Sequence, residues 1–435
     1  MKNIEEKALY FGPGTNSTSA SETGLPIPDL GLDKRFAESG VKSFEIDGVP
    51  AGNALTLIPY PAGKGSYVVS YYNYVVSGLS RKAGFTMFDE KGVVEQSFGT
   101  GGSLTIQLES RGYTVPRSTF IDAKGRLITY ALSAWREGIY LKQVAYLICM
   151  DGAGRLDDAF GNQGLLNVDG LLASHFIPLN PEFEQAYCSG AVFDPYGGCY
   201  LIAFLYSKVK QASLIVRLDA NGAIDKEFGN RGGVIVGNHD ELSYGRMLIE
   251  LVVHGARLVG VFASPGDAEW SVVRAFKLTG DVDLSYGSAG KVELEGFIAR
   301  GCALHSDNSL GVLGYVQAYD PRRGAATVWA IDEAGEITKR FTTLFVPKLD
   351  SQWDAATMAG DRIYCGGSDV YRSSMLGCYR AESGELDHSF AEYGYGMPSH
   401  TSTTFSMPPT LTSRGSLLVA CNRNGVAAVV AVATS

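Results

Sequence analysis

The chain lacks the long apolar runs that membrane-spanning and export segments require. No stretch of its 435 residues approaches the roughly 18 apolar residues that cross a bilayer. The opening residues, MKNIEEKALYF, contain no apolar core of a signal peptide. We therefore expect no membrane insertion, and a location in the cytoplasm or release by a route that does not use a cleavable signal peptide.

Positive charge and known catalytic motifs are also scarce. The formal net charge is −9 and there is no basic run, which argues against nucleic acid as a partner. The nucleophile elbow, the zinc-protease motif, the phosphate loop and the calcium loop are all absent, and the six histidines are not spaced as metal ligands. The motifs therefore identify no cofactor and no metal.

Cysteine is limited to seven residues, an odd number with no C-x-x-C spacing. Most of them stand inside apolar runs such as LICM and LLVAC. This pattern favours buried, reduced thiols over a disulfide framework.

Glycine, in contrast, is abundant, with 53 residues in a chain that is 45% hydrophobic. Helical proteins rarely contain so much, because each interior glycine costs about 1 kcal/mol relative to alanine. The composition indicates a β protein with a large core and many turns.

The stretch LDANGAIDKEFGNRGG at 218–233 recurs seven times along the chain. In six copies a carboxylate residue stands three positions before an aromatic residue, and the sixth copy has Thr338 there. The aromatic positions lie 49 to 68 residues apart, at Phe36, Phe98, Phe160, Phe228, Tyr286, Phe341 and Phe390.

Each feature of the repeat has a local physical reason. The run from Asp219 to Gly222 predicts a tight turn in which the side chain bonds the backbone and glycine takes a positive φ. We expect the Asp225 carboxylate to cap a nearby backbone N–H and the aromatic residue to pack against the neighbouring repeat. The repeat is therefore interpreted as scaffold, not as a binding loop.

Apolar runs before each copy and a segment after its aromatic residue predict four strands per repeat. Seven such units indicate an all-β fold, a seven-bladed β-propeller of four-stranded antiparallel blades. The last copy ends at Ser435 where a turn and Asp-x-x-Phe would follow, and Leu32–Phe36 supplies that piece. We therefore expect closure by a blade shared between the N- and C-termini, with the propeller at 31–435 and a flexible arm at 1–30.

The units resemble those of the bacterial delta-sixty repeat family, which read roughly L-x-x-D-G-x-L-D-x-x-F-G-x-x-G. The resemblance covers about residues 31–435, and the sixth copy, with Thr338 and Phe345, departs from it most. It implies a propeller and no single function, so it assigns no catalytic residue.

The connections of such a blade divide between two faces. The first-to-second and third-to-fourth connections are short and glycine-bound, and we call their side the turn face. The second-to-third connections and the passages between blades vary in length and chemistry, and we call their side the loop face. Variable loops on a rigid scaffold carry function, so we expect binding on the loop face.

Four charged residues, Arg117, Arg246, Arg300 and Asp354, stand near the start of the innermost strands, where the channel opens. Converging guanidinium groups would bind a carboxylate or a phosphate. The alternative is that these arginines are solvated or pair with neighbouring carboxylates, such as Glu184, Asp240 or Glu295.

Loop aromatics beside arginines form a second candidate group: Trp135, Arg136, Trp353, Arg322 and Tyr371. Aromatic planes next to polar groups suit sugar or peptide recognition. The alternative is that the aromatic residues only cover blade edges.

Two functions are compatible with this pattern. The first is a monomeric binding scaffold that recognises a protein, peptide or glycan through the loop face and the channel mouth. The second is a hydrolase or lyase with a channel-mouth site, with or without a metal held by Glu184, Asp240 or Asp354. The sequence alone does not decide between them, because propeller enzymes assemble sites from one residue per blade.

Overall fold

The computed structural model describes residues 29–434 apart from 38, 61–64, 74–81, 111, 138–139, 195–196, 237–246, 264–269, 305–308, 318–323, 344–350, 370–373, 392–393 and 399–407. We refer to the remainder as the described residues. Their first strands precede the regular repeat and are β1 (Asp29–Leu30), β2 (Val41–Ser43), β3 (Glu45–Ile46) and β4 (Val49–Pro50).

Six four-stranded antiparallel blades follow in chain order. Blade 1 contains β5 (Asn53–Tyr60), β6 (Ser66–Tyr72), β7 (Ala83–Asp89) and β8 (Ser103–Ile106). Blade 2 contains β9 (Tyr113–Ile121), β10 (Leu127–Glu137), β11 (Tyr140–Met150) and β12 (Leu165–Asn167), and helix α1 (Val168–Phe176) comes after it. Blade 3 contains β13 (Gln185–Phe193), β14 (Cys199–Tyr206), β15 (Gln211–Leu218) and β16 (Gly233–Val236).

The second half of the ring has the same plan. Blade 4 contains β17 (Met247–His254), β18 (Arg257–Ala263), β19 (Trp270–Lys277) and β20 (Lys291–Glu295). Blade 5 contains β21 (Phe297–Leu304), β22 (Leu310–Gln317), β23 (Gly324–Ile331) and β24 (Ile337–Thr343). Blade 6 contains β25 (Ser351–Ala359), β26 (Arg362–Asp369), β27 (Ser374–Arg380) and β28 (Tyr395–Pro398).

Blade 7 joins the two ends of the chain, as the sequence predicts. It contains β29 (Thr410–Leu411), β30 (Ser416–Arg423) and β31 (Val426–Ala433), and β2 pairs with β31 as its fourth strand. The first strands of successive blades contact one another in a closed circle, with β29 touching both β25 and β5. The fold is therefore a seven-bladed β-propeller closed by a shared blade.

The arm expected at 1–30 ends in a short strand. β1 pairs in parallel with β28, placing Asp29 opposite Met397 and Leu30 opposite Pro398. The chain thus adds a fifth strand to the edge of blade 6 before it enters blade 7, and residues 1–28 lie outside the described residues.

The repeat acts as the sequence analysis expects. The Asp219 carboxylate accepts hydrogen bonds from the N–H groups of Asn221 and Ala223, and Asp225 accepts one from Glu227 N–H at 3.1 Å. Phe98 is fully buried among side chains of blades 1 and 2. Five more repeat aromatics are buried between adjacent blades in the same way: Phe36, Phe160, Phe228, Tyr286 and Phe390.

Three elements depart from the regular pattern. The passage after blade 2, expected as a loop, begins with α1, whose Val168, Leu172 and Phe176 are buried against blades 2 and 3. Strands β10 and β11 stay paired as far as Glu137 and Tyr140, three residues beyond Ala134, which pairs with Tyr113 at the start of β9. The atypical sixth copy builds the seven-residue strand β24, the longest outer strand of blades 1 to 6 among the described residues.

All seven cysteines are free, and all are buried except Cys302, which is half-buried. Six of the seven cysteines therefore lie in the interior, as their apolar surroundings in the sequence predict. No helix within the described residues is long and apolar enough to cross a membrane.

Candidate functional site

The first strands of six blades contain a β-bulge at the same place. Each bulge adds one residue that has no partner on the second strand, which bends the strand and redirects that side chain. The six bulged residues are Leu55, Arg117, Ser189, Ile249, Arg300 and Asp354. Because the first strands of successive blades contact one another in a closed circle, these residues occupy equivalent positions around that circle, and we call them the bulge ring.

Three of the four charged residues expected at the channel mouth belong to this ring. Arg117 and Arg300 are exposed and Asp354 is half-buried. Arg246 lies outside the described residues, and Ile249 occupies the bulge position of its blade. The structure thus places Arg117, Arg300 and Asp354 at equivalent positions, and their role in binding remains a prediction.

The two ring arginines carry charge that no described carboxylate neutralises. Arg300 lies over the ring of Tyr315, with its guanidinium carbon 5.5 Å from the ring centre. Burial raises the pKa of the Tyr130 phenol and the nearby Arg117 charge opposes that rise. Since the Tyr130 hydroxyl donates to the Cys188 carbonyl at 2.8 Å, Arg117 lies beside the first strand of blade 3.

Arg300 and Asp354 belong to adjoining blades that touch at the bulges. A Cβ atom on Gly301 would come within 2.9 Å of the Asp354 carbonyl oxygen. Only glycine fits there, so blades 5 and 6 approach each other closely next to the ring.

The aromatic candidates fare differently. Trp353 was expected as a loop residue, but it lies in β25, is fully buried, and donates from Nε1 to the Tyr379 hydroxyl at 2.8 Å. That expectation is corrected, because Trp353 is a core residue. Trp135 and Arg136 lie at the end of β10, where Trp135 is half-buried and Arg136 exposed. Arg322 and Tyr371 lie outside the described residues.

A strip of exposed side chains on the loop face of blade 3 was not singled out by the sequence analysis. It contains Val209, which is 84% exposed, between Lys208 and Lys210, together with Tyr206 and Tyr187. Tyr206 is 37% exposed and Tyr187 is 38% exposed. We call these five residues the blade 3 strip.

The tip of the strip is held in one conformation by Ser207. The Ser207 N–H donates to the Lys210 carbonyl at 2.8 Å, and the Lys210 N–H donates to the Ser207 hydroxyl at 3.0 Å. Neither lysine forms an ion pair with a carboxylate of the described residues. The only sequence signal for the strip was the loop SKVKQA, where a valine stands between two lysines.

A carboxyl group with an unusual environment stands next to the ring. Glu250 directly follows the bulged Ile249 in β17. Burial raises the pKa of the Glu250 carboxyl to about 7. At neutral pH this group is therefore partly protonated and able both to give and to accept a proton.

The metal ligands considered in the sequence analysis are not brought together in the part of the chain that the structure describes. That part contains no group of three or more histidine, cysteine, aspartate or glutamate side chains arranged to hold a metal. Glu184 is exposed, and Asp240 lies outside the described residues.

No protein-family model matches the chain, and no curated protein matches it. Among solved structures, the polysaccharide lyase Uly1 is 12% identical, with 95% of this chain and 99% of that chain covered and a TM-score of 0.47. The sialidase of Trypanosoma rangeli in complex with sialic acid is 10% identical, with coverages of 82% and 60% and a TM-score of 0.47. The Nup133 β-propeller domain of Vanderwaltozyma polyspora is 8% identical, with coverages of 90% and 100% and a TM-score of 0.41. Similarities this distant assign neither a family nor an activity.

Proposed function

We propose that the protein is a binding scaffold whose loop face holds an acidic segment of a partner protein. The blade 3 strip is the observation that supports this most directly. A valine side chain left in water forgoes about 1.5 to 3 kcal/mol relative to a buried one, and a partner that covers Val209 would recover that free energy. Because Ser207 already fixes the turn, little conformational entropy is lost on binding.

The chemistry around Val209 indicates what the partner presents. Tyr187 and Tyr206 offer large ring surfaces of the kind that dominate protein interfaces. Lys208 and Lys210 place two positive charges on a chain whose formal net charge is −9, so they favour carboxylates on either side of an apolar side chain.

The bulge ring extends this surface toward the axis. Arg117 lies beside the first strand of blade 3, which also carries Tyr187 of the strip. We expect a further carboxylate of the bound segment to pair with Arg117, since a guanidinium binds it through two parallel hydrogen bonds.

The test is a selection of peptides from a random phage-displayed library on the full-length protein. We expect selected sequences with an apolar residue between acidic residues, and at least tenfold weaker binding to Val209→Asp. The matched control is Val93→Asp, because Val93 is also strongly exposed, at 60%, but lies in a connection of the turn face. Peptides without acidic residues, or equal binding to both variants, would contradict the proposal.

Arginine variants test the ring separately. Arg117→Ala should weaken the selected peptides severalfold and reduce the salt dependence of binding. Arg155→Ala serves as control, because Arg155 is an 80% exposed arginine of the turn-face connection in blade 2. If binding depends equally on salt concentration in the two variants, Arg117 does not contact the bound peptide.

A hydrolase or lyase with a site at the channel mouth is the second candidate, favoured by Glu250 alone. A carboxyl group with a pKa of about 7 directly after a residue of the bulge ring suits general acid–base catalysis. If the protein turns over a member of a chromogenic glycoside and ester panel, Glu250→Gln should abolish that turnover. Turnover that survives in Glu250→Gln would rule this residue out as the catalyst.

A further inference from the structure

An open cleft with both polar and apolar lining lies at the outer part of blade 2, separate from the blade 3 strip and the bulge ring. It holds about 630 Å³ and is lined by side chains of β11, β12 and the turn segment between them. Tyr146 and Asn167 come from the strands, and Asp158, Asn162 and Gln163 from the turn segment. No lysine or arginine lines it among the described residues.

Three of the five polar side chains that line this cleft form no hydrogen bond within the described residues. The side chains of Asp158, Asn162 and Gln163 are exposed and have no partner among the described residues. Asn167 accepts from the Gly170 N–H at 2.8 Å through Oδ1, which leaves its NH₂ group available. The Tyr146 hydroxyl donates to Glu109 at 2.8 Å, which fixes the ring.

The backbone beneath these side chains is rigid. The Asn162 N–H donates to the Leu165 carbonyl at 2.7 Å, and the Leu165 N–H donates back at 3.1 Å. Gln163 has a φ of 52°, a left-handed conformation that is unfavourable for a residue with a side chain. The equivalent residues of blades 3 and 4, Arg231 and Ala289, have the same conformation, with φ of 56° and 54°.

The repeat does not require these amides. Blade 1 builds the same turn with Thr100 and Gly101, where the Thr100 N–H donates to the Ser103 carbonyl at 2.8 Å. Blade 4 builds it with Ser288 and Ala289. The combination of Asp158, Asn162 and Gln163 is therefore specific to blade 2 and free to serve a ligand.

We propose that this cleft binds a neutral saccharide. A side-chain amide presents a donor and an acceptor side by side, which matches a pair of neighbouring sugar hydroxyls, and the Asp158 carboxylate accepts strongly from a third. Leu156, which is 37% exposed, and the Tyr146 ring offer apolar surface to the C–H face of the sugar. The carboxylate and the lack of lining cations disfavour acidic sugars.

The test is a glycan array probed with the full-length protein, followed by calorimetric titration of the neutral saccharides it retains. Asn162→Thr combined with Gln163→Gly reproduces the turn of blade 1, so this double variant should fold. We expect it to bind at least tenfold more weakly. The matched control makes the same change at the equivalent turn of blade 3, Asn230→Thr with Arg231→Gly, and should lose less than twofold.

Several results would overturn the proposal: no neutral saccharide retained by the wild type, full binding by the blade 2 variant, or equal losses in the two double variants. Val209→Asp should leave saccharide binding unchanged. The saccharide site can therefore fail or succeed independently of the peptide-binding function proposed for the loop face.

Discussion

Gly222 of blade 3 lies against the ring of Phe160 of blade 2, so closely that a Cβ atom on Gly222 would come within 3.1 Å of it. The N–H of Gly161, next to that ring, donates to the Asn221 carbonyl at 3.0 Å. The pair Gly154 and Phe98 repeats the contact between blades 1 and 2. The turn glycine and the aromatic residue recur together because they pack against each other across the interface between adjacent blades.

Replacing Gly222 should destabilise the propeller. Gly222 has a φ of 82°, so Gly222→Ala adds backbone strain to the steric conflict with Phe160, and we expect a loss of about 2 to 4 kcal/mol in the free energy of unfolding. Urea denaturation measures it. Gly48→Ala is the control, because Gly48 has a φ of 77° but no atom within 4 Å of its Cβ position. Equal losses would show that the contact with Phe160 contributes nothing.

Arg217 should be the most sensitive arginine of blade 3. It donates to Asp194 and to Asp225, both at 2.9 Å, and the Asp194 side chain is completely buried. Arg217→Ala leaves that carboxylate buried without its cation, which costs about 3 to 5 kcal/mol. Arg155→Ala removes an ion pair in which Arg155 itself is 80% exposed. This change should lower the free energy of unfolding by less than about 1 kcal/mol. Similar melting temperatures for the two variants would contradict this assignment.

Asp225→Ala should reduce stability without affecting any ligand. The change removes the hydrogen bond to Glu227 N–H and one of the two carboxylates that pair with Arg217. Asp194 still pairs with the arginine. We expect a loss of about 1 to 2 kcal/mol in the free energy of unfolding. Peptide binding by the folded variant, measured at a temperature well below its melting point, should equal that of the wild type. A binding defect there would assign Asp225 to the site.

The raised pKa of Glu250 predicts that the free energy of unfolding falls as the pH rises. Burial raises the pKa of its carboxyl from 4.5 to about 7, so the folded state binds the proton more tightly than the unfolded state. The resulting stabilisation is complete below pH 4.5 and is lost as the pH rises through 7. Glu250→Gln should therefore lose less stability than the wild type between pH 5 and pH 8. Parallel pH profiles from chemical denaturation would refute this.

Truncation at the N-terminus tests the shared blade. A chain that starts at residue 46 lacks β2 and Phe36, leaving the β31 edge of blade 7 unpaired and an aromatic site between blades 7 and 1 empty. It should melt at a much lower temperature or aggregate. A chain that starts at residue 21 keeps all four strands of blade 7 and should melt like the wild type. Equal melting temperatures for the two truncations would be incompatible with closure by β2.

Features that depend on residues close in sequence were predictable. The turn at Asp219, the cap at Asp225 and the strand pattern each involve interactions within a few positions, so the repeat reveals them directly. Closure by the two termini was also predictable, because the last copy lacks the piece that Leu32–Phe36 supplies.

Features that depend on strand register and on contacts with neighbouring blades could not be predicted from the sequence. Nothing in the sequence around Trp353 shows that Gly377 leaves room for its ring or that Tyr379 accepts its N–H, so a core residue was taken for a loop residue. Arg217 could not be identified as the partner of Asp194 and Asp225, because that contact depends on two strands pairing and on the turn between the first and second strands.

The sequence by itself determined the number of blades, their strand order and the way the ring closes, since a repeat that cannot bury its own faces must stack on its neighbours. Only the tertiary structure decided that Arg117, Arg300 and Asp354 occupy the same bulge position, and that Val209 is held exposed between two lysines. A bulge exists only relative to the strand with which its own strand pairs. The exposure of a side chain depends on which other residues cover it. In both cases the residues involved are distant in sequence.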